Sequence, residues 1–370
     1  VRILHLVGRS HRRGAELVAI ELAEALEVHG HESRILAVGP GHEGGTDPAI
    51  PVLTGFVRQH PGALVVAGWR LRRELRATPV DVVLAHGGSP LQVAVLASVP
   101  RRRPIVYQLI MGMPLDARGR LWHRWWGWLL GRCAAVVSLT DALTAEVRGL
   151  GYAGPVRLVP NARRAERFHA VDRVAAAAAL RGELGLEPDA PVVGFVGHLV
   201  DQKRPDVAVE VLADLRRRGV PAHLVVVGSG PNEAALRARI DQLGLADHVT
   251  LAGHRSDVES VLGGIDLLVL TSDDEGMPGV VIEAQMAGCP VVTFPVGGVA
   301  EVLEHGTTGV VLADHDPGAM AEAVATLLGD PDERSRMVAA ARERSERFTM
   351  ARAAVAYHEV LTAVAPRPGR

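Results

Sequence analysis

Residues 271–292 read Thr271-Ser272-Asp273-Asp274-Glu275-Gly276-Met277-Pro278-Gly279-Val280-Val281-Ile282-Glu283-Ala284-Gln285-Met286-Ala287-Gly288-Cys289-Pro290-Val291-Val292, and this stretch decides the fold. It starts where the apolar run Leu267-Leu268-Val269-Leu270, a buried strand by its pattern, comes to an end. It passes through Gly276, Pro278 and Gly279 into a helical pattern, and a second apolar run follows at Pro290–Phe294. A strand feeding a glycine turn and then a helix is the repeating unit of a parallel sheet. The start of such a helix leaves backbone N–H groups without intrahelical partners, and its dipole favours an anion there. Two carboxylates accompany that anion site: Glu275 lies in the loop and Glu283 inside the helix. At about 1.5 Å rise per residue their backbones stand up to ~12 Å apart. The acid and nucleophile of a retaining glycosidase need about 5–5.5 Å. The pair suits two separate hydroxyl groups, one on a sugar and one on a ribose.

The same alternation continues on both sides. In the second half, strands read at Val192–Val196, Ala222–Val227, Val249–Leu251, Leu267–Leu270, Pro290–Phe294 and Val310–Leu312. Helices separate them at Val207–Arg218, Asn232–Leu243, Pro278–Ala287 and Pro317–Leu328. In the first half, strands read at Ile3–Val7, Ser33–Val38, Val82–Ala85, Ile105–Leu109, Ala135–Leu139 and Val156–Val159. Between the first two, Ala15–Val28 is apolar at Leu17, Ile20, Ala23 and Leu26, a helical spacing. Pro160-Asn161 breaks the pattern, and the Arg- and Ala-rich stretch up to Asp189 reads as a linker with a short helix. The expectation is an α/β protein of two Rossmann-like domains facing across a cleft, with ligands at the strand carboxyl ends. Their bounds are residues 1–162, a linker 163–189, residues 190–348, and a helix within 349–370 that crosses back to the first domain. A chain of 370 residues divides more readily into two cores than one.

Polar residues gather at the strand ends. In Gly194-Phe195-Val196-Gly197-His198-Leu199-Val200-Asp201-Gln202-Lys203-Arg204-Pro205, Gly197 makes the turn, and Lys203 and Arg204 stand just before a helix. Two cations placed there neutralise a departing diphosphate, work that a metal ion does elsewhere. Lys203 is the only lysine beside 39 arginines. A compact ammonium is not interchangeable with a planar guanidinium where a small anion is held at one point. Val227-Gly228-Ser229-Gly230-Pro231-Asn232-Glu233 looks like a dinucleotide fingerprint, but Glu233 replaces the third glycine and would repel a pyrophosphate. An NAD-dependent oxidoreductase is therefore disfavoured, while the backbone at Gly228 and Gly230 stays a candidate for the donor site. His254 and Arg255, in a polar loop after a strand, suit the edge of a base. In the first half, Ser10-His11-Arg12-Arg13-Gly14-Ala15-Glu16 brings backbone N–H groups near Gly14 towards the same diphosphate, and His86-Gly87-Gly88 ends another strand. Trp122, Trp125, Trp126, Leu129, Leu130 and Cys133 form an apolar stripe with Arg118, Arg120, Arg124 and Arg132 nearby. That is a packed helix, an acceptor-binding wall or an interfacial membrane contact.

Composition narrows the class. The chain is 48% hydrophobic and 22% charged, as a globular protein is. Residues 1–162 hold 19 Arg against 12 acids, net +7, and the remainder 21 basic against 30 acidic residues, net −9. A basic first half points to an anionic partner or surface. Cys133 and Cys289 make no metal framework and suit reduced core positions, which implies a cytoplasmic protein. No apolar run reaches the roughly 18 residues that span a bilayer, and Val1–Val7 reads as a strand rather than a secretory signal. Dispersed basic residues and clustered aromatics argue against nucleic-acid binding. No Asp-x-Asp pair lies at a strand end, so neither metal nor cofactor is expected.

On these residues the chain resembles glycosyltransferase family 4, retaining enzymes of the GT-B fold that take a nucleotide-diphosphate sugar as co-substrate. The resemblance implies that the family's two glutamates fall on Glu275 and Glu283, contacting donor sugar hydroxyls and nucleotide ribose. It implies that the backbone of Gly276, Met277, Pro278, Gly279 and Val280 holds sugar and phosphates. The family's diphosphate-binding arginine and lysine fall on His198 and Lys203, so the arginine is replaced, with Arg204 or a protonated His198 as stand-in. Gly14-Ala15-Glu16 keeps one glycine of the family's N-terminal loop. Ile110 stands where many members carry a histidine near the reacting sugar, and His86 matches another family histidine. The implied reaction is a metal-independent front-face transfer from a UDP- or GDP-sugar, in which leaving-group stabilisation and positioning supply the catalysis. Lys203, Arg204, Glu275 and His198 are then the catalytic candidates. His86, Ile110, Trp122 and Trp126 mark the acceptor side, peripheral contact at the inner membrane face is an option, and the acceptor is unnamed. A sugar-nucleotide epimerase or phosphorylase of the same fold is a rival, as is a non-catalytic sugar-nucleotide binder.

Overall fold

The computed structural model describes residues 1–11, 14–41, 47–56, 60–98, 103–113 and 119–366. Arg12, Arg13 and Arg118, named above, lie outside the described residues. The chain divides into two compact units, Val1–Arg163 with Met350–Arg370, and Arg164–Thr349.

The first unit holds β1 (Arg2–Ser10), β2 (Glu32–Pro40), β3 (Val82–His86), β4 (Ile105–Leu109), β5 (Ala135–Ser138) and β6 (Val156–Leu158) in a parallel sheet of order β2-β1-β3-β4-β5-β6. Helices α1 (Gly14–Glu27), α2 (Pro61–Ala77), α3 (Gly88–Ser98), α4 (Gly119–Leu130) and α5 (Asp141–Gly149) connect them. Strands β3, β4 and β5 are buried along their whole length, which is why they read as unbroken apolar runs rather than alternating ones. The strand order reverses between β1 and β3, the position where open parallel sheets bind ligands.

The second unit repeats the plan. Its strands are β7 (Val192–Val196), β8 (His223–Val227), β9 (Val249–Gly253), β10 (Leu267–Leu270), β11 (Val291–Thr293) and β12 (Val310–Val311), in the order β12-β11-β10-β7-β8-β9. Its helices are α6 (Ala165–His169), α7 (Arg173–Leu184), α8 (Pro205–Arg217), α9 (Glu233–Gln242), α10 (Val258–Gly264), α11 (Gly279–Ala287), α12 (Val299–Val302), α13 (Pro317–Gly329) and α14 (Pro331–Ser345). Here the order reverses between β7 and β10, which pair directly. The loops leaving those two strands therefore emerge side by side.

The final helix, α15 (Met350–Val364), belongs to the first unit: Met350, Ala353, Ala354, Tyr357 and Leu361 bury one face against Ile3, Leu22 and Leu26. The expected linker 163–189 is not a free connector. Asp172 caps α7 by accepting from the Val174 and Ala175 N–H groups, and left-handed Gly185 ends it. The helix then packs on α10, where Gly264 has no room for a Cβ, since one would stand 2.8 Å from the Ala176 carbonyl oxygen. Arg173 donates to the Ile265 carbonyl, and Arg181 donates to Gly264 and pairs with Asp266 at 2.7 Å. The Arg- and Ala-rich stretch read as a linker with a short helix thus carries α7 and is anchored to the second unit.

Candidate active site

The site is built where β7 and β10 end. Past Val196, Gly197 donates its N–H to the Val227 carbonyl at 2.9 Å, and Gly228 donates to Gly253 at 2.7 Å. These strand-end loops touch backbone to backbone. A Cβ on Gly228 would collide with the Gly197 carbonyl, and one on Gly230 with that of Leu199. The glycines that imitate a dinucleotide fingerprint are therefore required by this approach of two loops. His198 is half-buried, and its Nδ1 lies 2.5 Å from the Ser229 carbonyl oxygen. A carbonyl only accepts, so Nδ1 carries the proton and this bond fixes the ring.

A single turn, Asp201–Lys203, and a left-handed Arg204 then lead into α8. This loop is stitched to the one leaving β10. Thr271 Oγ1 donates to the carbonyls of Lys203 and Arg204 at 3.0 and 2.8 Å. The Asp273 N–H donates to Gln202 at 2.9 Å, and Gln202 Nε2 donates to the Asp274 carbonyl at 2.8 Å. At the centre Lys203 Nζ meets Glu275 Oε1 at 2.5 Å, and Ser272 Oγ donates to the same oxygen at 2.8 Å. The Glu275 side chain is 8% exposed and that of Lys203 27%. The pair is thus sheltered at Glu275 and open to a ligand at the ammonium. Gly297 presses on the backbone of Glu275, leaving no room for a side chain, and the Gly298 N–H donates to Gly276 at 2.8 Å.

Helix α11 begins beyond Pro278, whose side chain caps nothing. Gly276, Gly279, Val280 and Glu283 stay partly exposed while Met277 and Pro278 are buried, so one edge of loop and helix faces outward. That edge offers backbone N–H groups at a helix start and a carboxylate one turn on, beside the Lys203–Glu275 pair.

Not every residue singled out from sequence joins this group. The Arg204 guanidinium bonds both oxygens of Asp206 and reaches Asp273 at 3.4 Å. Arg255 is taken by Asp257 at 2.7 Å and Glu183 at 2.5 Å, while His254 is exposed beside it. In the first unit, His86 is buried between partners: Nδ1 donates to Gln108 Oε1 at 2.5 Å, so Nε2 accepts from His5 Nδ1 at 3.1 Å. Burial pushes the His86 pKa down to about 4 and that of His5 well below its ordinary value. With both nitrogens engaged and burial disfavouring the charged form, the His86 ring is held between β1 and β4. Ile110 lies near Gly87, whose added Cβ would stand 3.6 Å from its Cδ1. Gly14, with φ +46°, opens α1. Trp126 is 4% exposed and packs over Gly88, with Trp122 edge-on to it, so packing accounts for that side of α4. The outward side carries Leu121, 82% exposed, and Trp128, which stacks on Trp125 beneath Arg132.

Sequence reasoning missed Thr271, Ser272, Gln202, Gly297 and Gly298. Small hydroxyl residues directly after a buried strand, and a glycine pair after the next one, were the available signal. Among the described residues no group of three or more His, Cys, Asp or Glu is arranged to hold a metal ion, and no helix is long and apolar enough to cross a membrane.

Residues 12–167 match the family model described as Glycosyltransferase Family 4, and residues 177–344 the one described as Glycosyl transferases group 1. The alpha-D-kanosaminyltransferase of Streptomyces kanamyceticus is 35% identical over 209 residues, which is 56% of this chain and 54% of that protein. A D-inositol 3-phosphate glycosyltransferase of Nocardia farcinica is 35% identical over 49% of this chain and 42% of its own. The chain spans about half the length of these two relatives. The 2-deoxystreptamine glucosyltransferase of S. kanamyceticus is 28% identical over 75% of this chain and 76% of its own. Among solved structures, Anabaena Alr3699/HepE in complex with UDP-glucose superposes with a TM-score of 0.82 at 23% identity, covering 98% of this chain and 99% of the other. Sucrose-phosphate synthase from Thermosynechococcus elongatus gives 0.80 at 19%, covering 98% of both. At these identities the two structures speak for the fold alone. Two family models that together take in most of the chain place it: the protein belongs to the group 1, family 4 glycosyltransferases and has the GT-B fold.

Proposed function

We propose that the chain transfers a sugar, with retention of configuration and without a metal ion, from a UDP- or GDP-sugar to an acceptor hydroxyl. The observation that carries this reading is the Lys203–Glu275 pair, held 2.5 Å apart beside the uncapped start of α11. With a donor bound, the Lys203 ammonium turns from Glu275 to the leaving diphosphate, and α11 gives its first N–H groups to phosphate oxygens. Glu275, still held by Ser272, then accepts from a sugar hydroxyl, and Glu283 accepts from the ribose. The acceptor hydroxyl enters on the face from which the diphosphate departs, so no protein nucleophile is needed. The donor class draws support from the UDP and UDP-glucose complexes of Anabaena HepE. The acceptor is assigned to the first unit, which carries the net positive charge. A cytoplasmic protein touching the inner membrane face fits the exposed Leu121 and Trp128 among Arg120, Arg124 and Arg132.

The test is a thermal-shift panel of UDP, GDP and their sugars, because a ligand that binds the native state raises its melting point by mass action. Anomeric analysis of the product by NMR, with and without EDTA, follows. Nucleotide-sugar binding with no product from any acceptor would favour a non-catalytic binder. An inverted anomer, or full loss of turnover in EDTA restored by magnesium or manganese, would overturn the mechanism.

A further inference from the structure

Arg204 is the one non-glycine residue among those described with a positive φ, at φ 48° and ψ 54°. In that region the Cβ crowds the following carbonyl, so an arginine stays there only where its surroundings over-determine it. They do so here. Its N–H donates to Asp201 at 3.1 Å, and its carbonyl accepts from Thr271 Oγ1 at 2.8 Å and from the Val207 N–H at 3.1 Å. Its Nε lies 3.2 Å from both oxygens of Asp206, and Nη2 donates to one of them at 2.9 Å. Nη1 reaches Asp273 Oδ1 at 3.4 Å, in the loop that carries Glu275. We propose that Arg204 is a positioning residue whose fork, closed on Asp206 and Asp273, holds the strained turn that aims Lys203 at Glu275, and that it is not itself a ligand of the diphosphate. The inference rests on the role given to Lys203 above.

Two carboxylates already balance the guanidinium, so a phosphate would have to compete with them for the same N–H groups. The two roles therefore predict opposite signs at Asp206. If Arg204 binds phosphate, Asp206→Asn frees it, and turnover or nucleotide affinity rises. If Arg204 is a bracket, Asp206→Asn opens it and kcat falls.

The experiment compares wild type with Arg204→Lys, Arg204→Gly and Asp206→Asn. Binding of UDP and GDP is measured by calorimetry, and turnover as nucleoside diphosphate released from the sugar nucleotide. Arg204→Gly guards against misfolding, since glycine adopts the left-handed turn without strain. Each variant is expected to lose about ten- to a hundredfold in kcat through a misplaced Lys203, with nucleotide affinity within about twofold of wild type and KM little changed. Arg204→Lys keeps the charge but not the fork, so it is not expected to rescue. Wild-type kcat in Arg204→Lys, a gain in Asp206→Asn, or a large loss of UDP or GDP affinity in Arg204→Gly would each overturn the proposal. Wild-type protein that binds neither nucleotide would remove the functional reading and this inference together, whereas effects confined to the variants bear on Arg204 alone.

Discussion

Replacing Lys203 by alanine should separate the catalytic and structural parts of its contact with Glu275. Removing the ammonium takes away a charge that acts more strongly on the departing diphosphate than on bound donor, so kcat suffers most. Loss of one preorganised electrostatic contact of that kind costs about 10²–10³ in kcat, or roughly 2.7–4 kcal/mol, by analogy with oxyanion-hole donors. The same substitution leaves the Glu275 carboxylate, 8% exposed, with the Ser272 hydroxyl still donating to it at 2.8 Å. Stranding one half of a fully buried pair costs about 3–5 kcal/mol. Lys203 is 27% exposed and water reaches the site, so a stability loss of about 1 kcal/mol is expected. For a unit of this size that is a fall of roughly 2–4 °C in Tm. The assay is nucleoside diphosphate release at saturating donor beside a thermal melt. The double variant Lys203→Ala with Glu275→Gln removes the stranded charge, so it should recover the melting point and none of the turnover. Lys203→Arg should recover turnover only in part, because the planar fork cannot occupy the same point. If Lys203→Ala keeps more than half of the wild-type kcat, the leaving-group role is wrong.

Trp126→Ala should cost about 3–5 kcal/mol of stability, while Leu121→Ser with Trp128→Ala should leave the melt unchanged and reduce co-sedimentation with anionic vesicles; unchanged sedimentation would reject the membrane contact. Acid should destabilise the first unit. The buried His5 and His86 have folded pKa values below the unfolded value of 6.5, so the stability they confer above that pH is lost as pH falls towards about 4. All five tryptophans lie in that unit, so their fluorescence reports its unfolding, and an acid slope no smaller in His86→Gln would contradict the assignment. Glu16 behaves in the opposite sense, since burial raises its pKa from 4.5 to about 7. The folded state then holds the proton longer, and stability falls as pH rises across that window, by at most about 3 kcal/mol. Glu16→Gln should therefore melt higher than wild type at pH 8 and equally at pH 4.

The strands were legible because buried parallel strands are continuous apolar runs: Leu267–Leu270 and Val192–Val196 announce themselves, and both fall where expected. Short or polar helices were not. Helix α14, with residues such as Arg334, Arg336, Arg342 and Arg344 on its surface, carries little apolar period to read. The candidate site was half visible. Glu275 and Lys203 stood out by residue type and loop position, yet nothing in sequence could place them in contact across seventy-two positions. The fate of each arginine was equally hidden, because charge is local to sequence while its partner is not. Arg204 and Arg255 looked alike as loop cations, and both are taken up by carboxylates two residues on. His86 looked like a site residue, and only the neighbouring strands, bringing His5 and Gln108 to either side, show it locked.

The central claim is that the nucleotide is held by the second unit, at the loops after β7 and β10. Hydrogen exchange read by mass spectrometry on the intact chain, with and without saturating UDP or GDP, tests it most directly. The account predicts new protection in residues 197–204 and 271–283, weakened in Lys203→Ala. Protection confined to residues 1–160, with those two loops unchanged, would contradict it.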